Sequence, residues 1–309
     1  MKKLTSTWAG LLLWVLGLLL VPLFADNNWI FIMSYFAIYA VVSLSQDVVL
    51  GRAGMYDMGH AVYFGIGAYT TAILNTQYGV PILWTLPIAV VVSALFGALL
   101  SAPIVKLRGD YLLVATIGFN EIFHMALVND VGGITGGPDG IYGIEAPSLF
   151  GHQIMSQGGI FVLNWILLGI VLLLMNNLEN SRLGRVFRYL KEDELAATTL
   201  GVNARYYKIL AFALGAGIAG AAGTLFTSLL QSVSPGAFVF TESVTLFAIV
   251  IVGGQASIPG VLLGAVLMFV VPQVFRDLAE YRYFVFGLAM IVIMVLRPQG
   301  ILPRRRRLE

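Results

Sequence analysis

The chain has 309 residues, 59% of them hydrophobic and 11% charged, with a mean hydropathy of +0.88 and a formal net charge of +2. A soluble domain carries about a quarter charged residues, so this chain cannot cover a water-facing surface; its composition points to an all-α, polytopic helical bundle in a lipid bilayer. It contains no cysteine, which excludes disulfides, thiolate metal sites and cysteine nucleophiles, and His60, His124 and His152 are too scattered to suggest a metal cluster.

A membrane span needs about 20 mainly apolar residues. In chain order the candidates run near 9–24, 29–50, 60–75, 82–104, 110–128, 158–178, 207–230, 241–253, 258–275 and 283–297. That is about ten spans, several of them short and interrupted by glycine, within one domain covering 1–309. The first follows Lys2 and Lys3 and resembles a signal peptide, but Leu23, Phe24 and Ala25 make a poor cleavage site, and a retained span is expected.

Lysine and arginine orient the bundle, because cytoplasmic connectors are enriched in them. With the N-terminus inside, the inner segments hold Lys2, Lys3, Arg52, Lys106, Arg108, the interval 182–208 and Arg304 to Arg307. The outer segments near 25–28, 76–81, 129–157 and 231–240 hold no lysine or arginine. Only Arg276 and Arg282 fall outside, accompanied by Asp277 and Glu280. Both termini are therefore expected in the cytoplasm. The basic residues follow this topology, and no nucleic-acid partner is expected.

Three connectors stand out. Residues 51–69 and 253–266 both read as a glycine-rich break followed by a helix, a weak hint of related halves. The outer segment 129–157, with Gly136, Gly137, Pro138, Asp139 and Gly140 at its centre, is long for a compact bundle; such loops are commonly functional or disordered. It reads as a gate or a binding surface. The inner interval 179–206 carries three arginines and then "KEDELAATTLG". Acids at Glu192, Asp193 and Glu194 favour a helix start through the dipole, Ala196 and Ala197 are strong helix formers with little bulk, and Gly201 suits the left-handed residue that ends a helix. A short helix with a small face, parallel to the membrane, is what a partner's cleft accepts; an ordinary interhelical loop is the plainer reading.

Ionisable groups within spans are expensive and by default functional candidates. Asp47, Asp57, His60, Asp110, Glu121, His124 and Glu242 qualify by position. Asp110 lies beside Lys106 and Arg108 and suits a local ion pair. Asp57 and His60 flank a glycine break near Arg52, which suits interfacial pairing or a role in a pathway or gate. Glu121 and His124 are three apart, on one helical face, and either pair within the bundle or line a translocation route. Gly215, Ala219 and Gly223 form a small-residue stripe of the kind that lets helices approach closely.

The segment "LAATTLG" matches in spacing the E-A-A-x-x-x-G cytoplasmic loop of ABC importer permeases, with Ala196, Ala197 and Gly201 in register, Leu195 in place of the motif's Glu, and Glu194 one residue early. With "LGRAGMYDMGHAVYFGIGAYTTAIL", "LRGDYLLVATIGFNEIFHMAL", "ITGGPDGI", "SPGAFVFTESVTLFAIVIVGGQASIPGVLLGAVL" and "LRPQGIL", the chain resembles the M-type permease of branched-chain amino acid ABC importers over roughly residues 35–302. Asp57 stands where many members carry a small polar residue. The resemblance implies a multi-pass inner-membrane permease without covalent chemistry of its own. It also implies a second homologous permease, two cytoplasmic ATPases that bind ATP and Mg, and an extracytoplasmic solute-binding protein. Glu194, Leu195, Ala196, Ala197 and Gly201 would then belong to the helix that docks on an ATPase. No G-x-x-x-x-G-K-[ST] occurs, so a phosphate cradle must come from another chain. Permeases for urea and related solutes share this architecture, and an ion-coupled carrier using midplane acids is a further alternative.

Overall fold

The computed structural model of the protein describes residues 14, 17–18, 25–107, 109–149, 152–154, 156–274, 284, 287–288, 291–292, 295 and 300–302. The long helices are α1 (Asn27–Asp47), α2 (Ala61–Tyr78), α3 (Ile82–Ile104), α4 (Asp110–Val128), α5 (Gln157–Asn180), α8 (Ala204–Leu230) and α9 (Phe240–Gly253). Between α5 and α8 lie two short ones, α6 (Arg182–Glu192) and α7 (Glu194–Thr199). After α9 come α10 (Ile258–Ala265), a π turn (Val266–Val270) and α11 (Val271–Val274).

Six helical segments among the described residues are long and apolar enough to cross a membrane. They coincide with the expected spans at 29–50, 82–104, 110–128, 158–178, 207–230 and 241–253. The expected span at 60–75 is α2, a shorter and buried helix, and that at 258–275 is broken into α10, the π turn and α11. The expected spans at 9–24 and 283–297 fall mostly outside the described residues. Of the first, Trp14 is described; its Nε1 donates to the Trp165 carbonyl at 3.0 Å, and Trp165 Nε1 donates to the Trp14 carbonyl at 2.9 Å.

At the centre is α1. From Phe36 to Asp47 every side chain is buried, as expected of a helix apolar on all its faces. It packs on α5, α8, α9 and α10. The other principal contact is among α2, α3 and α8, and small residues make it possible. The stripe expected at Gly215, Ala219 and Gly223 is buried; Gly223 lies against the backbone of Phe64 and Ala68 on α2, and Gly215 against Ser45 of α1. A second stripe, Ala89, Ser93, Gly97 and Ser101, recurs every fourth residue on α3 and is buried, Gly97 against Phe212 and Ala216 of α8. With no hydrophobic drive between helices in lipid, such close packing supplies the association energy.

Helix α4 is the opposite case. It buries Leu112, Thr116, Asn120 and Leu127 along one stripe and leaves Tyr111, Val114, Ile122 and Met125 exposed.

The long connector after α4 is ordered by pairing. Strand β1 (Ile141–Tyr142) is antiparallel to β4 (Ser232–Val233), and β2 (Ser148–Leu149) to β3 (His152–Gln153). Glu145 N donates to Asn75 Oδ1 at 2.9 Å, which ties the segment to the outer end of α2.

Candidate functional site

Two chain breaks meet at the C-terminal end of α1. The helix closes in a π turn, Val48–Arg52, and the chain turns back through residues 53–60 before α2 begins. The other break is the turn between α9 and α10, where Gly254 has φ 125° and Ala256 φ 57°. The Asp47 carboxylate joins them: Oδ1 accepts from Ala256 N at 2.7 Å and Oδ2 from Arg52 Nε at 3.2 Å. Gly51 fits here because a Cβ would collide with Asp47 and with the Ala256 nitrogen. Arg52, the partner considered for Asp57 and His60, instead serves Asp47, with Glu179 at 3.9 Å.

Asp57 and His60 pair with one another, buried within the bundle. His60 Nδ1 lies 2.9 Å from Asp57 Oδ2, and both side chains are buried. Asp57 Oδ1 accepts from Gly59 N at 2.9 Å. The other ring nitrogen of His60 lies 2.8 Å from Ser45 Oγ on α1, while Gln46 Nε2 donates to the Asp57 carbonyl at 2.6 Å. Serine, histidine and aspartate in this order resemble a nucleophile, base and orienting acid. All three are buried, however, and the Ser45 hydroxyl also reaches the Val42 carbonyl at 2.6 Å. The chain of bonds therefore staples α1 to the turn before α2.

The remaining candidates are in separate places. Glu242 sits in the first turn of α9, where the helix dipole favours an acid, and accepts from Tyr39 Oη at 3.4 Å. Glu121 is exposed and His124 half-buried on the outward side of α4. No hydrogen bond or ion pair joins them to each other or to another described side chain. Asn120, beside them on the inward stripe, accepts from Ser243 Oγ at 2.8 Å, and that oxygen accepts from Ala61 N at 3.0 Å. One chain therefore does not gather the five pathway candidates into one cavity. Asp110 opens α4 in its first turn, and no ion pair to Lys106 forms among the described residues.

The inner interval forms two helices where one was expected. Ser181 caps α6 by accepting from Gly184 N, and Phe187 and Leu190 are its buried face. Asp193 caps α7 by accepting from Ala196 N at 3.0 Å. Gly201 ends the stretch at φ 85°, as its place in the sequence suggests. Of the two alanines expected on the docking helix, Ala197 is 2% exposed and packs with Leu190 and Ala204. The outer face carries Leu195, 71% exposed, Leu200, 81% exposed, and the exposed Ala196 and Thr199. Glu194 accepts from Lys208 Nζ at 2.7 Å, which ties α7 to α8.

In the connector after α4, Gly136, Gly137 and Gly140 all adopt positive φ, and Pro138 and Asp139 are exposed within a 3-10 turn, Gly137–Asp139. The turn is organised by Asp130, whose Oδ1 accepts from Thr135 N at 2.7 Å, Thr135 Oγ1 at 2.8 Å and Gly136 N at 3.2 Å. These bonds, that from Thr135 N first, hold the Asp130 carboxyl below its ordinary value.

Sequence reading alone missed Ser45, Gln46, Asn120, Ser243 and Lys191. The first four are polar residues inside apolar runs, a detectable signal, though their partners lie on other helices.

Comparison with known proteins gives a consistent result. A family model described as the permease component of branched-chain amino acid transport systems matches residues 28–294. The high-affinity branched-chain amino acid transport system permease protein LivM of Escherichia coli strain K12 is 37% identical over 308 residues, covering 92% of this chain and 72% of that protein. The probable branched-chain amino acid transport permease protein LivM of Methanocaldococcus jannaschii is 27% identical, covering 89% of this chain and 93% of that protein. The permease protein LivH of the Escherichia coli K12 high-affinity branched-chain system is 26% identical, with 86% and 91% covered. No solved structure matches significantly.

Proposed function

The chain belongs to the family of branched-chain amino acid transport system permease components, and from that premise we propose how its surfaces divide the work of an ABC importer. The protein is a multi-pass permease subunit of the inner membrane that moves branched-chain amino acids, and its energy comes from ATP and Mg held by two cytoplasmic ATPase subunits. The observation that carries the division is α7: a six-residue helix with Asp193 capping its start, Ala197 turned inward, Leu195 exposed within it and Leu200 exposed directly after it. Exposed leucines on a rigid, charged inner connector are a docking face, and Leu195, Ala196, Thr199 and Leu200 are its contacts. Glu194 acts from behind that face, through Lys208.

The second permease covers the outward side of α4. A carboxylate facing lipid at mid-helix costs about 2.5–3.5 kcal/mol, and Glu121 is the twelfth residue of a nineteen-residue span. A protein–protein seam with access to water removes that cost and places Glu121 and His124 on a shared translocation route. Asp57, His60 and Glu242 act in positioning the helix starts beside it. The solute-binding protein docks on the outer segment at Gly136, Gly137, Pro138, Asp139 and Gly140. Ten spans with both termini in the cytoplasm complete this topology.

The test is reconstitution of the chain with its second permease, two ATPases and binding protein in proteoliposomes. Uptake of leucine, isoleucine and valine is expected only with ATP. Uptake by this chain alone without nucleotide would instead identify a self-sufficient carrier. A cysteine at Gly137 should react with an impermeant thiol reagent from outside intact cells, and one at Thr198 only after permeabilisation.

A further inference from the structure

Lys191 lies in the last turn of α6, two residues before the cap of α7. Its ammonium donates to the Gly51 carbonyl at 2.7 Å and to Gln255 Oε1 at 2.8 Å. Gly51 belongs to the π turn that closes α1, and Gln255 to the turn between α9 and α10. One side chain thus joins the inner connector to both breaks in the spanning helices. The site is shaped to receive it. The lysine stem lies on Gly54, which has φ 74° and where a Cβ would approach Lys191 Cγ to 2.7 Å. Both the backbone conformation and the lack of space reserve that position for glycine.

Behind the lysine, the two breaks are already one unit. Asp47 holds Ala256 N and Arg52 as described, so the end of α1 and the α9–α10 turn share a carboxylate. The chain at 300–302 closes over the same turn, with Ile301 N donating to the Val252 carbonyl at 2.9 Å and Leu302 N to the Gly253 carbonyl at 3.0 Å. Among the described residues, polar side chains of α6 and α7 thus reach the bundle by two routes. Glu194 and Lys208 lead to α8, and Lys191 leads to α1, α9 and α10.

We propose that Lys191 is a positioning residue for transport: it makes α6 and α7 move as one body with the π turn of α1 and the α9–α10 turn. A displacement imposed on α7 by nucleotide-driven partners then reaches the broken helices. Without Lys191 it is absorbed in the connector. The inference rests on the reading of α7 as the ATPase contact, and the experiment separates the two.

The complete transporter is assembled in proteoliposomes, and leucine uptake, ATP hydrolysis and copurification of the ATPases are measured together. Lys191→Met should retain the ATPases while uptake per ATP hydrolysed falls by about ten- to a hundredfold, the scale of a lost hydrogen bond to a charged group. Lys191→Arg, which can still donate to both oxygens, should recover most of that loss. The chain has no cysteine, so a Lys191→Cys, Gln255→Cys pair can be bridged by a bifunctional thiol reagent with no other target in this subunit. The unbridged pair should be uncoupled, and bridging should restore uptake per ATP. Normal coupling in Lys191→Met, or failure of the bridge to restore it, overturns the one-body link. Loss of the ATPases in Lys191→Met makes Lys191 a docking residue and also overturns it. Retention of the ATPases by Leu195→Asp instead overturns the docking reading on which the link depends.

Discussion

Two spanning segments with equally apolar stretches have opposite places in the protein. The most apolar 18-residue windows of Asn27–Arg52 and Asp110–Val128 both have a mean hydropathy of 1.5, yet 72% of the first window is buried and 22% of the second. Each carries one acid beyond its first turn. Asp47 in the first is fully buried and bonded to Arg52 and Ala256, whereas Glu121 in the second is exposed. In lipid, apolarity does not distinguish core from perimeter, because lipid tails are as apolar as leucine. What separates Asp47 from Glu121 is that only the first finds partners among the described side chains and turns.

The largest test of this difference is at Asp47. Asp47→Ala leaves Arg52 as a buried charge without its closest partner and removes the acceptor of Ala256 N. Breaking a buried ion pair typically costs about 3–5 kcal/mol, so the variant should accumulate poorly in membranes and melt at lower temperature in detergent. Normal melting would show that this junction contributes little to the fold.

Leu195 and Leu200 come next and extend the contrast to the inner connector. Burying a leucine contributes about 1.5–3 kcal/mol. Leu195→Asp and Leu200→Asp should each reduce ATPase copurification by about tenfold or more without lowering the melting temperature of the chain. Ala197→Trp should do the reverse. Overpacking against Leu190 and Ala204 costs about 1–3 kcal/mol, and the loss should appear first as instability of the permease itself. Equal behaviour of the three variants in the melting assay would contradict the inward orientation of Ala197.

Glu121→Gln should be milder. No described side chain bonds to its carboxylate, so accumulation and melting should match the parent protein, while transport falls about fivefold, the difference of about 1 kcal/mol between charged and neutral hydrogen bonds. A variant that fails to accumulate would place Glu121 among structural residues with Asp47.

The smallest effect concerns the outer turn. Hydrogen bonds to the ionised form lower the Asp130 pKa from 3.8. A depressed carboxylate pKa means that its contribution is complete above the ordinary value and is lost as pH falls through the lowered one. Hydrogen-exchange protection at Thr135 N and Gly136 N should therefore be constant from neutral pH down to about 3.8 and decline only below it. In Asp130→Asn the two amides should exchange faster at neutral pH as well. Loss of protection already near neutrality in the parent protein would argue against Asp130 as the organiser.

Much of this was legible in the residues. Six spans, the cap and glycine stop around α7, and the close packing at Gly215, Ala219 and Gly223 follow from local rules of length, helix termini and side-chain size. Other features were not. The fourfold spacing of Ala89, Ser93, Gly97 and Ser101 lay in the sequence, but the helix it faces did not. The inward turn of Ala197 depends on Leu190 and Ala204, residues of two other helices. Arg52 had Asp57 within its reach in sequence and took Asp47, because the π turn and residues 53–60 carry Asp57 into the interior beside His60.

The sequence by itself determined that the chain must live in a bilayer, where six of its apolar helices run, and to which family it belongs, since composition, apolar length and ordered motifs are properties of the string. Only the tertiary structure decided which acids are satisfied and which face outward, and that one lysine joins three distant segments. A hydrogen bond across the bundle depends on distances between helices, and those are set by packing that no local pattern encodes.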